Sequence, residues 1–188
     1  PYVGNFSVIA AHAGNSPIAD IANPDVAFAL DPDTGIKLIV WEENTLLNPG
    51  NPADKSISTQ IYYMLTGAEG VVKPATYLNG SSNTAGQHAF PSVSYDLSHR
   101  YFVVALCASR IDMATNKSIY NVSVNAINLE GNISNAAMNV SGDADDYPVI
   151  PVIAYDAFSD RHVVVYPFPQ VNGFAFSQIA VDDFGNIL

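Results

Sequence analysis

The chain has 188 residues, of which 48% are hydrophobic and only 13% charged, against a usual charged share of about 25%. That size suits one domain with a sizeable core, or a short array of repeats. The net charge of -11, with seven Lys and Arg residues scattered along the chain, leaves no basic patch to neutralise phosphates, so nucleic acid is excluded as a partner and an anionic membrane surface would repel it. No apolar run approaches the roughly 18 residues needed to cross a bilayer, so membrane insertion is not expected.

Residues 1–22 form the first unit. Pro1 to Ala10 reads as a strand carrying Tyr2, Val3, Phe6, Val8 and Ile9, and a Gly/Asn/Ser/Pro loop follows. Pro1 in place of an initiator Met gives the expectation of a mature or trimmed form.

Residues 23–80 then make a first repeat. Pro24-Asp25-Val26 opens a strand that closes at Asp31, Pro32-Asp33-Thr34-Gly35 turns, and Leu38-Ile39-Val40-Trp41 returns. A strand over Ile57 to Leu65 ends at Ala68-Glu69-Gly70, and a fourth runs from Val71 to Leu78. Residues 81–141 repeat the order: Pro91 to Asp96, the turn Leu97-Ser98-His99, Phe102-Val103-Val104, Ile119 to Leu129, Gly131, and Ile133 to Val140. Residues 142–188 repeat it again through Pro151, Asp156, Val163 to Tyr166, Phe174 to Val181 and Gly185, after which only Asn186-Ile187-Leu188 remain. Short Val-, Ile- and aromatic-rich runs around Asp/Gly/Pro/Ser turns are hairpin signals. Their recurrence means a modular architecture, and no convincing 3.6-residue period appears.

The third repeat therefore lacks its fourth strand, and Pro1 to Ala10 fits the empty slot. The predicted fold is all-β: three four-stranded antiparallel blades, with the N-terminal strand completing the last blade of the same chain or of a neighbouring one. A strand left unpaired at a sheet edge recruits partners. Val3, Phe6, Val8 and Ile9 would supply apolar contacts, and Phe184, Ile187 and Leu188 mark the acceptor edge.

Pro91-Ser92-Val93-Ser94-Tyr95-Asp96, Ile153-Ala154-Tyr155-Asp156 with Val163 to Tyr166, and the Val-Trp ending at Trp41 resemble the tandem repeats of extracellular β-propellers. The resemblance covers essentially the whole chain and implies four-stranded blades and no particular activity. Propellers have four to eight blades, and this chain supplies three. A small closed ring, a six-bladed ring from two chains, and a head-to-tail fibre all remain open. A β-prism or β-trefoil shares the threefold pattern and ranks lower.

The remaining motifs carry little chemistry. Six sequons place candidate N-glycans at Asn5, Asn79, Asn116, Asn121, Asn132 and Asn139. Asp31-Pro32-Asp33 and Asp143 to Asp146 lack the spacing of a calcium loop and read as turn chemistry. His12, His88, His99 and His162 show no metal-ligand spacing and read as surface or rim residues. Arg100 and Arg161 are each expected to bridge their own hairpin, to Asp96 and Asp156. Cys107 sits in an apolar run as a small hydrophobe. No nucleophile elbow, phosphate loop, zinc motif or dinucleotide fingerprint is present, so neither an enzyme nor a cofactor is expected. The expected role is a subunit of an extracellular filament or surface assembly, partnered with itself and possibly carrying glycans. The alternative is a closed monomeric propeller that binds carbohydrate or mediates adhesion.

Overall fold

The computed structural model describes residues 25–46, 57–78, 89–134, 138–141, 144–145, 148–170, 173–182 and 186–188. Every element among them is a strand. β1 (Val26–Leu30), β2 (Lys37–Leu46), β3 (Ile57–Gly67) and β4 (Gly70–Tyr77) form an antiparallel meander. β5 (Ser92–Asp96), β6 (Tyr101–Asp112) and β7 (Lys117–Asn128) form a second, with the two-residue strands β8 (Met138–Asn139) and β9 (Ala144–Asp145) both on β7. β10 (Val152–Asp156), β11 (Arg161–Gln170) and β12 (Gly173–Val181) form a third.

The all-β reading is confirmed. Of the strand expected over Ile133 to Val140, the described residues show β8 and a bridge between Ile133 and Ile127; residues 135–137 lie outside them. The expected completing strand, Pro1 to Ala10, lies outside the described residues, as does Phe184.

The three sheets are stacked with β5 beside both β1 and β10, a propeller-like arrangement of short inner strands. Alternation of side chains across a strand decides what fills the spaces between sheets. Leu38, Val40, Ile61, Tyr63 and Leu65 of the first sheet meet Phe102, Val104, Leu106 and Ile127 of the second. The opposite face of the second sheet, with Val103, Ala105, Val122, Val124 and Ala126, meets Ile153, Val164, Tyr166 and Val181 of the third. β6 is thus buried on both sides, which is why Phe102 to Cys107 is one unbroken apolar run rather than an alternating one. Each fully buried Val, Leu or Phe side chain contributes about 1.5–3 kcal/mol.

Strand pairing fixes which residues of the three sheets correspond. Val93↔Val104, Ile153↔Val164 and Phe28↔Ile39 are equivalent pairs. The same registers make Met64, Asn125 and Ile179 equivalent, opposite Ile39, Val104 and Val164. Asn125 is fully buried, and neither its Oδ1 nor its Nδ2 has a hydrogen-bond partner. A buried amide in that state costs roughly 1–3 kcal/mol. Asn125→Met, the side chain the first sheet already uses there, is expected to raise the free energy of unfolding by about 1 kcal/mol or more. Urea unfolding of the two chains checks it, and a lower midpoint for the variant would refute this account.

Candidate assembly surfaces and polar junctions

Each sheet begins with the same device. Asp31, Asp96 and Asp156 end their strands and accept from the backbone N–H two residues on, from Asp33 at 3.1 Å, Ser98 at 2.6 Å and Phe158 at 3.1 Å. The turn then needs a left-handed residue four positions after the Asp. Gly35 (φ 72°), Arg100 (φ 64°) and Asp160 (φ 51°) occupy it. Glycine takes that conformation without a steric penalty, and Arg and Asp do so at some cost.

Because sheets stack, the left-handed residue of one turn faces the Asp of the preceding sheet. Arg100 Nη2 donates to Asp31 Oδ2 at 3.2 Å, and Tyr95 lies against both groups. This corrects the expectation that Arg100 bridges its own hairpin: the pairing frame puts Arg100 level with Asp160, not with Arg161. Arg161 does stay near its own Asp156, with Nε 3.9 Å from Oδ2. Burial raises the Asp31 carboxyl, but Thr34, the Asp33 N–H and Arg100 outweigh it and hold it below its usual value.

The second junction repeats this geometry with opposite charge. Asp96 is buried, and the group facing it from the third sheet is Asp160. Tyr155, equivalent to Tyr95, donates to Asp160 Oδ1 and lies 2.9 Å from Ser98 Oγ. Desolvation first, then the bond to Asp160, push the Tyr155 hydroxyl up to about 12. His99 Nδ1 is 3.2 Å from Asp96 Oδ2 and 3.9 Å from Asp160 Oδ1. Ligand atoms of Asp96, His99 and Asp160 lie within 4.8 Å of one another, so these three are the described residues able to share a cation. Sequence spacing did not reveal the set, because its members come from two sheets.

His162 departs from the rim position expected of it. It is fully buried, with Nδ1 2.6 Å from Ser94 Oγ of the second sheet. Its register position is that of Phe102, which likewise faces the preceding sheet. Desolvation pushes its pKa down to about 4, against the pull of Asp96, Asp160 and Asp182. Cys107 is buried as expected, and burial raises its thiol to about 11.

Of the candidate glycan sites, Asn116, Asn132 and Asn139 are exposed, Asn116 on the β6–β7 turn with φ 54°. Asn121 is only 8% exposed and accepts from Ser123 Oγ, so its side chain leaves no room for a bulky glycan and it drops from the set. Asn5 and Asn79 lie outside the described residues.

At the predicted acceptor edge, Ile187 bridges Val181 and the Leu188 N–H donates to Ala180 O at 3.0 Å. Among the described residues, nothing pairs with the same edge of β12 between 173 and 179. The corresponding edge of β3 carries β4, and that of β7 carries β8 and β9.

The outermost faces of the stack are apolar and open. Val26, Phe28 and Leu30 of the first sheet are 59%, 71% and 43% exposed, and Val152 and Phe176 of the third are 61% and 82% exposed. Trp41, Tyr62 and Tyr77 form a ladder of ring contacts on the first of these faces, with centroids 6.1 Å and 5.9 Å apart.

No family model and no curated protein matches the chain. Among solved structures, an N-acetylgalactosamine deacetylase from F. plautii in complex with blood group B trisaccharide aligns at 10% identity and a TM-score of 0.46, over 87% of this chain and 50% of that one. An endo-1,5-alpha-L-arabinanase from Thermotoga petrophila RKU-1 aligns at 12% identity and a TM-score of 0.41, over 83% of this chain and 39% of that one. The chain thus spans at most half the length of either. Likeness at this level bears on neither chemistry nor partners.

Two measurements probe the junctions. Asp160→Arg rebuilds the Arg100–Asp31 pair at the second junction, and a rise in stability of about 1 kcal/mol is expected. An Asp96→Asn background should cancel that gain, and a gain that survives there refutes the pairing. His162 binds protons in the unfolded chain near its ordinary 6.5 but in the folded chain only near 4. Stability is therefore full above pH 6.5 and falls as pH drops from 6.5 to 4, by on the order of 3 kcal/mol. His162→Asn should flatten urea midpoints across that window, and an unchanged slope assigns the loss elsewhere.

Proposed function

We propose that this chain is a structural subunit that associates with copies of itself head to tail, outside the cell, by donating Pro1 to Ala10 to the open edge of the third sheet. The observation that carries this is that, among the described residues, nothing pairs with the edge of β12 from 173 to 179, whereas the corresponding edges of β3 and β7 carry strands. Main-chain hydrogen bonds along that edge would supply affinity, and alternate side chains of the donor (Phe6 and Val8 on one face) would supply specificity. A head-to-tail contact that does not close gives a filament. The open faces of the first and third sheets favour exchange between chains over a ring closed within one chain. Glycans at Asn116, Asn132 and Asn139 would sit on exposed turns and edges, and the low charge fits a surface largely covered by neighbours.

The test reads strand donation alone. A synthetic peptide with the sequence of residues 1–10 is titrated into the full chain carrying Phe6→Asp and Val8→Asp, whose own strand is impaired. Saturable binding of the peptide, and no binding of the same peptide with both substitutions, is the expected result. Equal behaviour of the two peptides would refute strand donation.

A further inference from the structure

Every sheet in this molecule has a face toward its predecessor and a face toward its successor, and the two are built differently. Val93, Val104 and Leu106 of the second sheet face the first, and Ile153, Val164 and Tyr166 of the third face the second. Through the strand registers the same three positions in the first sheet are Phe28, Ile39 and Trp41. Among the described residues they face no sheet, and Phe28 is 71% exposed.

The converse holds at the other end. Leu38 and Val40 of the first sheet, and Val103 and Ala105 of the second, face their successors and are fully buried. Their equivalents in the third sheet are Val163 and Val165, and Val165 is 36% exposed. Ile61 and Val122, both fully buried, correspond on β12 to Phe176, which is 82% exposed. The two ends of the stack therefore carry the two unlike halves of one junction that the chain forms twice within itself.

We infer that the outer face of the first sheet is a docking surface for the outer face of the third sheet of a second copy of this chain, stacked as sheets one and two are stacked internally. The occupant is a second copy because this chain carries the complementary half, and because the internal junctions define the fit. The contact is heterologous, so one copy uses both faces with two different neighbours. The inference shares its partner with the proposed strand donation but uses a different surface. A strand of residues 1–10 added to β12 of one copy would be followed in sequence by β1 of the donor, as β4 is followed by β5 within the chain. Like-charged copies at a net charge of -11 repel, so the contact should strengthen with added salt.

Mixing tests it in the full-length chain. Phe28→Asp spoils the first face and Phe176→Asp the third; both side chains are exposed, so each variant should fold as the parent does, which circular dichroism and urea midpoints check. Sedimentation should show concentration-dependent, salt-enhanced association of the parent. Each variant alone should need a roughly tenfold or higher concentration to associate. An equimolar mixture should regain association but stop at a heterodimer, since only one intact pair of faces remains. Three results would overturn the inference: a parent that stays monomeric at high concentration and salt, variants that associate like the parent, or a mixture no better than either variant. Strand donation is read separately by the peptide titration, so either idea can fail while the other stands.

Discussion

The two-sidedness of a stacked sheet is the constraint on which everything else in this molecule depends. A sheet between two others must be apolar on both faces, and the second sheet meets that requirement: Phe102, Val104 and Leu106 point one way, Val103, Ala105 and Cys107 the other. The first and third sheets follow the same pattern but, among the described residues, find a partner on one side only. Val26, Phe28, Val152 and Phe176 are accordingly exposed, and they are the apolar positions on which the proposed docking of a second copy rests.

The charged contacts between sheets gather at one end of each junction, where the strand-ending aspartates sit. Asp31 and Asp96 play the same architectural part, holding a turn through backbone N–H groups. Their environments then diverge through a single left-handed position. Arg100 supplies a positive partner at the first junction, whereas Asp160 brings a second carboxylate to the other and leaves His99 between the two. The same repeat thus gives a neutralised contact in one place and an acidic cluster in the next. Buried His162 beside Ser94 belongs to this second junction and makes it the pH-sensitive one.

Sheet edges set the remaining degree of freedom. β4 pairs with β3 from Tyr62 to Gly67, β8, β9 and a bridge from Ile133 lie on β7, and Ile187 bridges β12 at Val181. Among the described residues, the edge of β12 between 173 and 179 carries no partner, and it belongs to a sheet whose outer face is exposed at Val152 and Phe176.

Much of this was legible in the sequence. The recurring Pro, Asp and Gly positions and the Val-rich returns determined three antiparallel units, because turns and period-two burial are local properties. The apolar run from Phe102 to Cys107 was visible as well, but that both of its faces are covered comes from the stacking. Tertiary structure alone decided which groups meet across the stack. Arg100 reaches Asp31 rather than Asp96, His162 is buried rather than at the rim, Asn121 is closed off, and Asp96, His99 and Asp160 converge. Each of these contacts joins residues of different units or depends on which sheet face a strand presents. Local pattern gives the strand and its alternation, but only stacking tells which face finds a partner and which is left open.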